Sequence, residues 1–193
     1  MDSNLFNLQR KITQYQEILK NTETYREVWK KSLKDYIHSN LSSISEKCNL
    51  NATIEGRTDL ENLEAIVLSL GNVKSGVSQQ VGDNFRRELV KHNGSLVYQQ
   101  LFNGKVLVLI NQPYLENYGR PQPPKTIGIY RPEEMNEHFF IRHLEAFIQE
   151  VMQWEDFDDE NQDPRQGNQH IGFRLNFEKN QDEKKDGSVP LVP

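Results

Sequence analysis

Hydrophobic positions repeat at helical spacing near both ends of the sequence and at strand spacing between them. At the start, Leu5, Leu8, Ile12, Tyr15 and Leu19 alternate steps of three and four, one stripe of an amphipathic helix that Ser3 or Asn4 can cap. The frame then meets Thr22 and Arg26, while Thr24 with Glu27 makes a capping box, so a second helix is expected to start there. Its apolar face is Val28, Trp29, Leu33, Tyr36, Ile37, Leu41 and Ile44. Spacing alone leaves a helical hairpin and one kinked rod open over residues 4–47; the capping residues favour two helices.

From Asn51 the pattern turns extended. Ala52 to Arg57 reads as a short edge strand, Leu63 to Leu70 as a central strand because its run is largely apolar, and Val73 to Val81 as a weak strand. Leu96 to Phe102 and Val106 to Ile110 flank Asn103-Gly104, which predicts a β-hairpin with a type I′ turn. Prolines 113, 121, 123 and 124 make residues 111–125 a long loop, and Thr126 to Tyr130 a last strand. Phe140, Leu144, Phe147, Val151 and Trp154 then mark a helix starting at Pro132 or Asn136.

This order predicts an α+β fold: an antiparallel sheet of four to five strands, with N-terminal helices and a C-terminal helix packed on one face. Trp29, Leu33, Phe140, Leu144 and Phe147 are the expected core. The expected organisation is a helical arm over residues 1–49, a sheet plus helix over 50–155 forming one domain with the arm, and an acidic, largely disordered tail over 156–193. Within that tail, His170 to Phe177 alternates apolar residues and reads as a further strand.

Composition sharpens the picture at the tail. Hydrophobic residues are 35% of the 193 and charged residues 26%, a low apolar content that implies an unpacked portion. Lys and Arg number eight against six acids in residues 1–50, nine against nine in 51–134, and six against thirteen in 135–193, which places nearly all the acidity at the C-terminal end. No run approaches the roughly 20 apolar residues of a membrane span, and the first residues lack a secretion signal, so a cytoplasmic protein without a membrane partner is expected. Cys48 is the single cysteine, which excludes an internal disulfide and points to a small residue packed near a helix end.

Candidate chemistry is sparse. There is no phosphate-binding glycine loop, dinucleotide fingerprint, nucleophile elbow or His-Glu-x-x-His pair, and no metal or cofactor is expected. His138 and His143 lie about 140° apart on a helix, too far round to share a metal. Glu134, His138 and Arg142 fall on one helical face and read as ordinary charge pairing. The acidic run from Glu155 fails the calcium-loop pattern, with Asn161 and Gly167 where glycine and glutamate are required. Lys30, Lys31, Lys34, Arg86, Arg87 and Lys91 form the one basic cluster, but glutamates intervene and the net charge is −5, which argues against nucleic acid as a partner.

Two features remain. Tyr114, Tyr118 and Arg120 in the proline-containing loop are the residue types of binding hot spots and are the partner-binding candidates. Leu5, Leu8, Ile12, Tyr15 and Leu19 exceed what one sheet face can cover, so they are the oligomer-interface candidates, and a homodimer through the first helix is the leading association. The sequence therefore favours a non-catalytic protein-interaction or self-associating module. Its alternative is a small-ligand binder or enzyme with a site between the sheet and the 111–125 loop, using Arg120, Tyr118, His92 and His138.

Overall fold

The computed structural model describes residues 3–81, 85–118 and 121–156. The acidic tail and the strand expected over residues 170–177 lie outside them.

The N-terminal helices form one rod: α1 over Ser3–Val28, a π turn over Trp29–Leu33, and α2 over Lys34–Lys47. The second start expected at Thr24 does not occur. Thr22 and Thr24 turn their hydroxyls back to the Ile18 and Lys20 carbonyls at 3.0 and 3.1 Å instead of capping, and Glu27 pairs with Lys31 at 2.7 Å. The π turn has a packing reason. Trp29, Leu33, Ile37 and Leu41 are all buried and sit four residues apart. Each four-residue step overruns a normal turn by about 40°, and the wider turn, in which the Lys34 N–H donates to the Trp29 carbonyl, takes up the excess. The rod ends in a Schellman motif: Asn49 takes φ +52°, its N–H donates to the Glu46 carbonyl, and the Leu50 N–H donates to that of Ser45.

The predicted α+β fold is observed, with antiparallel pairing throughout. A five-stranded sheet has the order β1-β2-β5-β6-β8, from β1 (Thr53–Arg57), β2 (Ala65–Ser69), β5 (Ser95–Gln100), β6 (Val106–Asn111) and β8 (Lys125–Tyr130). A second sheet, β3-β4-β7, joins β3 (Asn72–Gln80), β4 (Arg86–His92) and β7 (Tyr114–Leu115). The two sheets share a bent ribbon. The Leu70 N–H donates to the Gly94 carbonyl and the Asn93 N–H to that of Gly71, so the β2–β5 pairing runs on into β3–β4 through a junction where both glycines take positive φ.

The hairpin β5–β6 forms as expected, but not with a type I′ turn. Only Gly104 has positive φ, and its N–H donates to the Leu101 carbonyl while the Leu101 N–H donates to that of Lys105. This is the three-residue loop with a bulge glycine. The exchange follows from what the tip touches: a Cβ on Gly104 would stand 2.6 Å from Tyr25 Cβ and 3.0 Å from Arg26 N, and the Arg26 guanidinium bonds the Phe102 carbonyl.

A 3-10 turn over Pro132–Glu134 precedes α3, Glu137–Glu155, whose N-cap Asn136 accepts from the Phe139 N–H at 3.3 Å. All five expected core residues are buried. They meet Ile66, Leu68, Leu96, Tyr98, Val106, Val108 and Ile110 from the inward face of the sheet, so the rod and α3 cover one face. Burial of this kind contributes about 1.5–3 kcal/mol per large side chain. The Trp29 indole donates to Glu64 at 3.1 Å, and Lys34 lies 3.1 Å from the same carboxylate. Burial pushes Glu64 up, but those two hydrogen bonds and the charges of Lys34 and Lys30 outweigh it and hold the group below the usual carboxylate range. Among the described residues no helix is long and apolar enough to cross a membrane.

Candidate functional site

The rod outruns the sheet it covers. Contact with the body begins at Asn21 and Thr22, beside the hairpin tip, and every residue from Leu5 to Lys20 is exposed. Those sixteen residues carry Leu5, Leu8, Ile12, Tyr15 and Leu19 with 47–61% of their surface open. At 100° per residue the stripe is centred roughly a quarter turn from the face that Thr22, Tyr25 and Trp29 turn to the body, so extending the sheet would not cover it. Phe6 and Ile18 are equally exposed and lie off the stripe. They break the three-and-four alternation, so spacing gives no sign of them, although both side chains are large and apolar.

The loop candidates are built into their own body. Tyr114 lies in β7, opposite His92 of β4, and their rings stack 4.3 Å apart at 10°. Tyr118 follows a turn in which its N–H donates to the Leu115 carbonyl, and Arg120 lies outside the described residues. Glu150 of α3 fastens both ends of the segment, accepting from Gln112 Nε2 at 2.7 Å and pairing with Lys125. The segment expected to be all loop thus contains a strand, because β4 offers an edge to it. His138 is exposed on the first turn of α3. Glu134 leaves the helical face assigned to it: it sits in the 3-10 turn and accepts from the Arg131 N–H at 2.6 Å.

A trough of about 360 Å³ does open on the outer face of the sheet beside the loop. Its floor is Val67, Val97 and Leu109, and its walls are Leu60, Leu63 and Pro124 rather than the tyrosines and histidines expected.

The most perturbed groups are interior. His143 is 2% exposed, with Nδ1 3.1 Å from the Tyr98 hydroxyl and Nε2 3.1 Å from that of Tyr130. Burial, and secondarily the charge of Arg142, pushes His143 down to about 4, and burial pushes Tyr98 up, with Tyr130 adding to it. A neutral imidazole donates from one nitrogen and accepts at the other, so it bridges the two hydroxyls and ties β5, α3 and β8 together. Tyr130 leaves no room for a side chain on Gly128, where a Cβ would meet its hydroxyl at 2.9 Å. Helical spacing gave no sign of this bridge, which depends on strands far apart in sequence.

Five of the six residues of the basic cluster are ion-paired. Lys30 pairs with Glu61, Lys31 with Glu27, Lys34 with Glu64, Arg87 with Glu116 and Lys91 with Glu155. Cys48 is exposed at the C-cap of α2, not packed as expected, because the Schellman turn directs Leu50 inward instead. Among the described residues no group of three or more His, Cys, Asp and Glu is placed to hold a metal ion. No family model, curated protein or solved structure matches the chain.

Proposed function

We propose that the protein is a non-catalytic interaction module that self-associates by pairing its helical arm with that of a second copy. The observation that supports this is the exposed stripe at heptad spacing within sixteen consecutive exposed residues. Two such stripes pack as the seam of a short coiled coil, with Leu5, Ile12 and Leu19 at one core position and Leu8 and Tyr15 at the other. An isolated helix of this length is marginal in water, so pairing also stabilises the helix itself. We place the module in the cytoplasm, with a protein partner and no membrane or nucleic-acid ligand.

Light scattering on the full chain and on a chain beginning at Thr22 tests the reading. The full chain is expected at twice the monomer mass and the shortened chain at the monomer mass; a monomeric full chain at tens of micromolar overturns it. The trough beside Pro124 supports a second reading, a small-ligand binder on the outer sheet face, since its volume of about 360 Å³ is of ligand size.

A further inference from the structure

The edges of the sheets differ in how they are protected. β8 opens with Lys125 directly after Pro123 and Pro124, and its pairing with β6 slips between Val108 and Leu109. β3 is broken by a register shift at Lys74/Ser78, where Gly76 takes φ +74°, and β7 is two residues long. Proline, lysine, bulges and shortness are the means by which folds keep an edge from recruiting another strand. β1 has none of them. It pairs with β2 in unbroken register from Thr53↔Ser69 to Arg57↔Ala65, contains no proline or lysine, and among the described residues pairs with nothing else.

A cavity of about 540 Å³ adjoins this edge, between the last turns of α2 and β1; Leu50, Ala52 and Ile54 are its apolar part, and His38, Ser42, Ser45, Glu46, Asn49 and Asn51 its polar part. Ser45 is 6% exposed, yet its hydroxyl has no hydrogen-bond partner among the described residues. Buried polar groups are nearly always satisfied. An open strand edge and an adjoining cavity together define a receptor for an extended segment, in which edge amides supply the main-chain bonds and the cavity receives alternate side chains.

We infer that the occupant is His170–Phe177 of the same chain, added to β1 as a sixth strand. Its sequence alternates Ile171, Phe173, Leu175 and Phe177 with Gly172, Arg174 and Asn176, one apolar and one polar face. The apolar face is placed on the side of Ala52 and Ile54, where the cavity has its apolar part. The polar face carries Arg174 along the side on which β1 exposes Glu55, which has no ion-pair partner among the described residues. The connection reaches. α3 ends beside β4, where Glu155 pairs with Lys91, at the same end of the sheet as Ser95, and Ser95 pairs with Ser69, which pairs with Thr53. Two strand spacings are about 10 Å, and the fourteen residues between Asp156 and Ile171 span up to about 45 Å.

Amide hydrogen exchange on the full chain, compared with a Phe173→Asp/Leu175→Asp variant, tests this. The Thr53–Arg57 amides that point away from β2 are expected to exchange roughly tenfold or more faster in the variant, while those of β5 and β6 are unchanged. Equal rates in the two proteins at β1 overturn the inference. The comparison is repeated over about a hundredfold dilution: protection independent of concentration supports a strand from the same chain. Protection lost on dilution assigns the strand to a second copy and overturns the intramolecular assignment. The readout is independent of the arm, so neither result depends on whether Leu5–Leu19 pairs.

Discussion

At the scale of single residues, the interior is held by polar groups that hydrophobic patterning cannot reveal. Glu64 answers the indole N–H of a fully buried Trp29, and His143 bridges the hydroxyls of Tyr98 and Tyr130. The histidine carries a pH consequence. An unfolded histidine takes up a proton near pH 6.5, whereas His143 in the fold does so only near 4. Between those values the unfolded chain binds the extra proton, so the stability that neutral His143 contributes is complete above about pH 6.5 and is lost as the pH falls towards 4. At 1.36 kcal/mol per unit the loss reaches about 3 kcal/mol. The charge of Arg142 adds to burial in keeping His143 neutral. Urea unfolding at pH 7 and pH 4.5 should therefore show a fall in midpoint that His143→Gln, which keeps a donor and an acceptor but cannot titrate, largely removes. An equal fall in both proteins would assign the acid sensitivity to carboxylates instead.

At the scale of elements, what was legible in the sequence is what rests on local periodicity. The inward faces of the rod, β2, β5, β6 and α3 follow from their apolar spacing because each buries one face against a common core. The arm stripe was legible from the same kind of spacing, although it is exposed. What escaped needed tertiary partners. β4 opens with a charged stretch, Arg86-Arg87-Glu88, whose two arginines are exposed, and its strand character comes from pairing with β3 and β7. The turn at Asn103-Gly104 was set by contact with α1 rather than by the dipeptide alone, and the two-helix reading failed because threonine hydroxyls serve a helix interior as well as a cap. Contact between hairpin and rod makes a definite prediction. Gly104→Ala places a methyl 2.6 Å from Tyr25 Cβ and 3.1 Å from the Thr22 carbonyl, on a backbone with φ +75°. The left-handed conformation alone costs about 1–2 kcal/mol with a side chain, and the helix backbone cannot yield to the rest. The variant should lose at least about 2 kcal/mol of stability and show faster amide exchange at both Leu101–Lys105 and Thr22–Trp29. A loss confined to the hairpin would mean that the rod does not depend on the tip.

At the scale of the whole molecule, body and arm obey different constraints. The body closes its own core on one side of the five-stranded sheet, whereas the arm leaves five seam residues and two flanking ones in water. If the seam drives assembly, position on the helix must matter more than hydrophobicity. Ile12 lies in the middle of the stripe and Phe6 on its far side, and both are large, apolar and about half exposed or more. Replacing either with aspartate alters an exposed side chain outside the core cluster, so the body should be unaffected. Burying an isoleucine contributes about 1.5–3 kcal/mol, so Ile12→Asp should weaken the dimer by roughly tenfold or more in dissociation constant, and Phe6→Asp should change it little. Sedimentation equilibrium on the two variants separates the cases. Equal weakening by both would show general apolar adhesion without a defined seam, and no weakening by either would transfer the search for an interface from the arm to the open faces of the sheets.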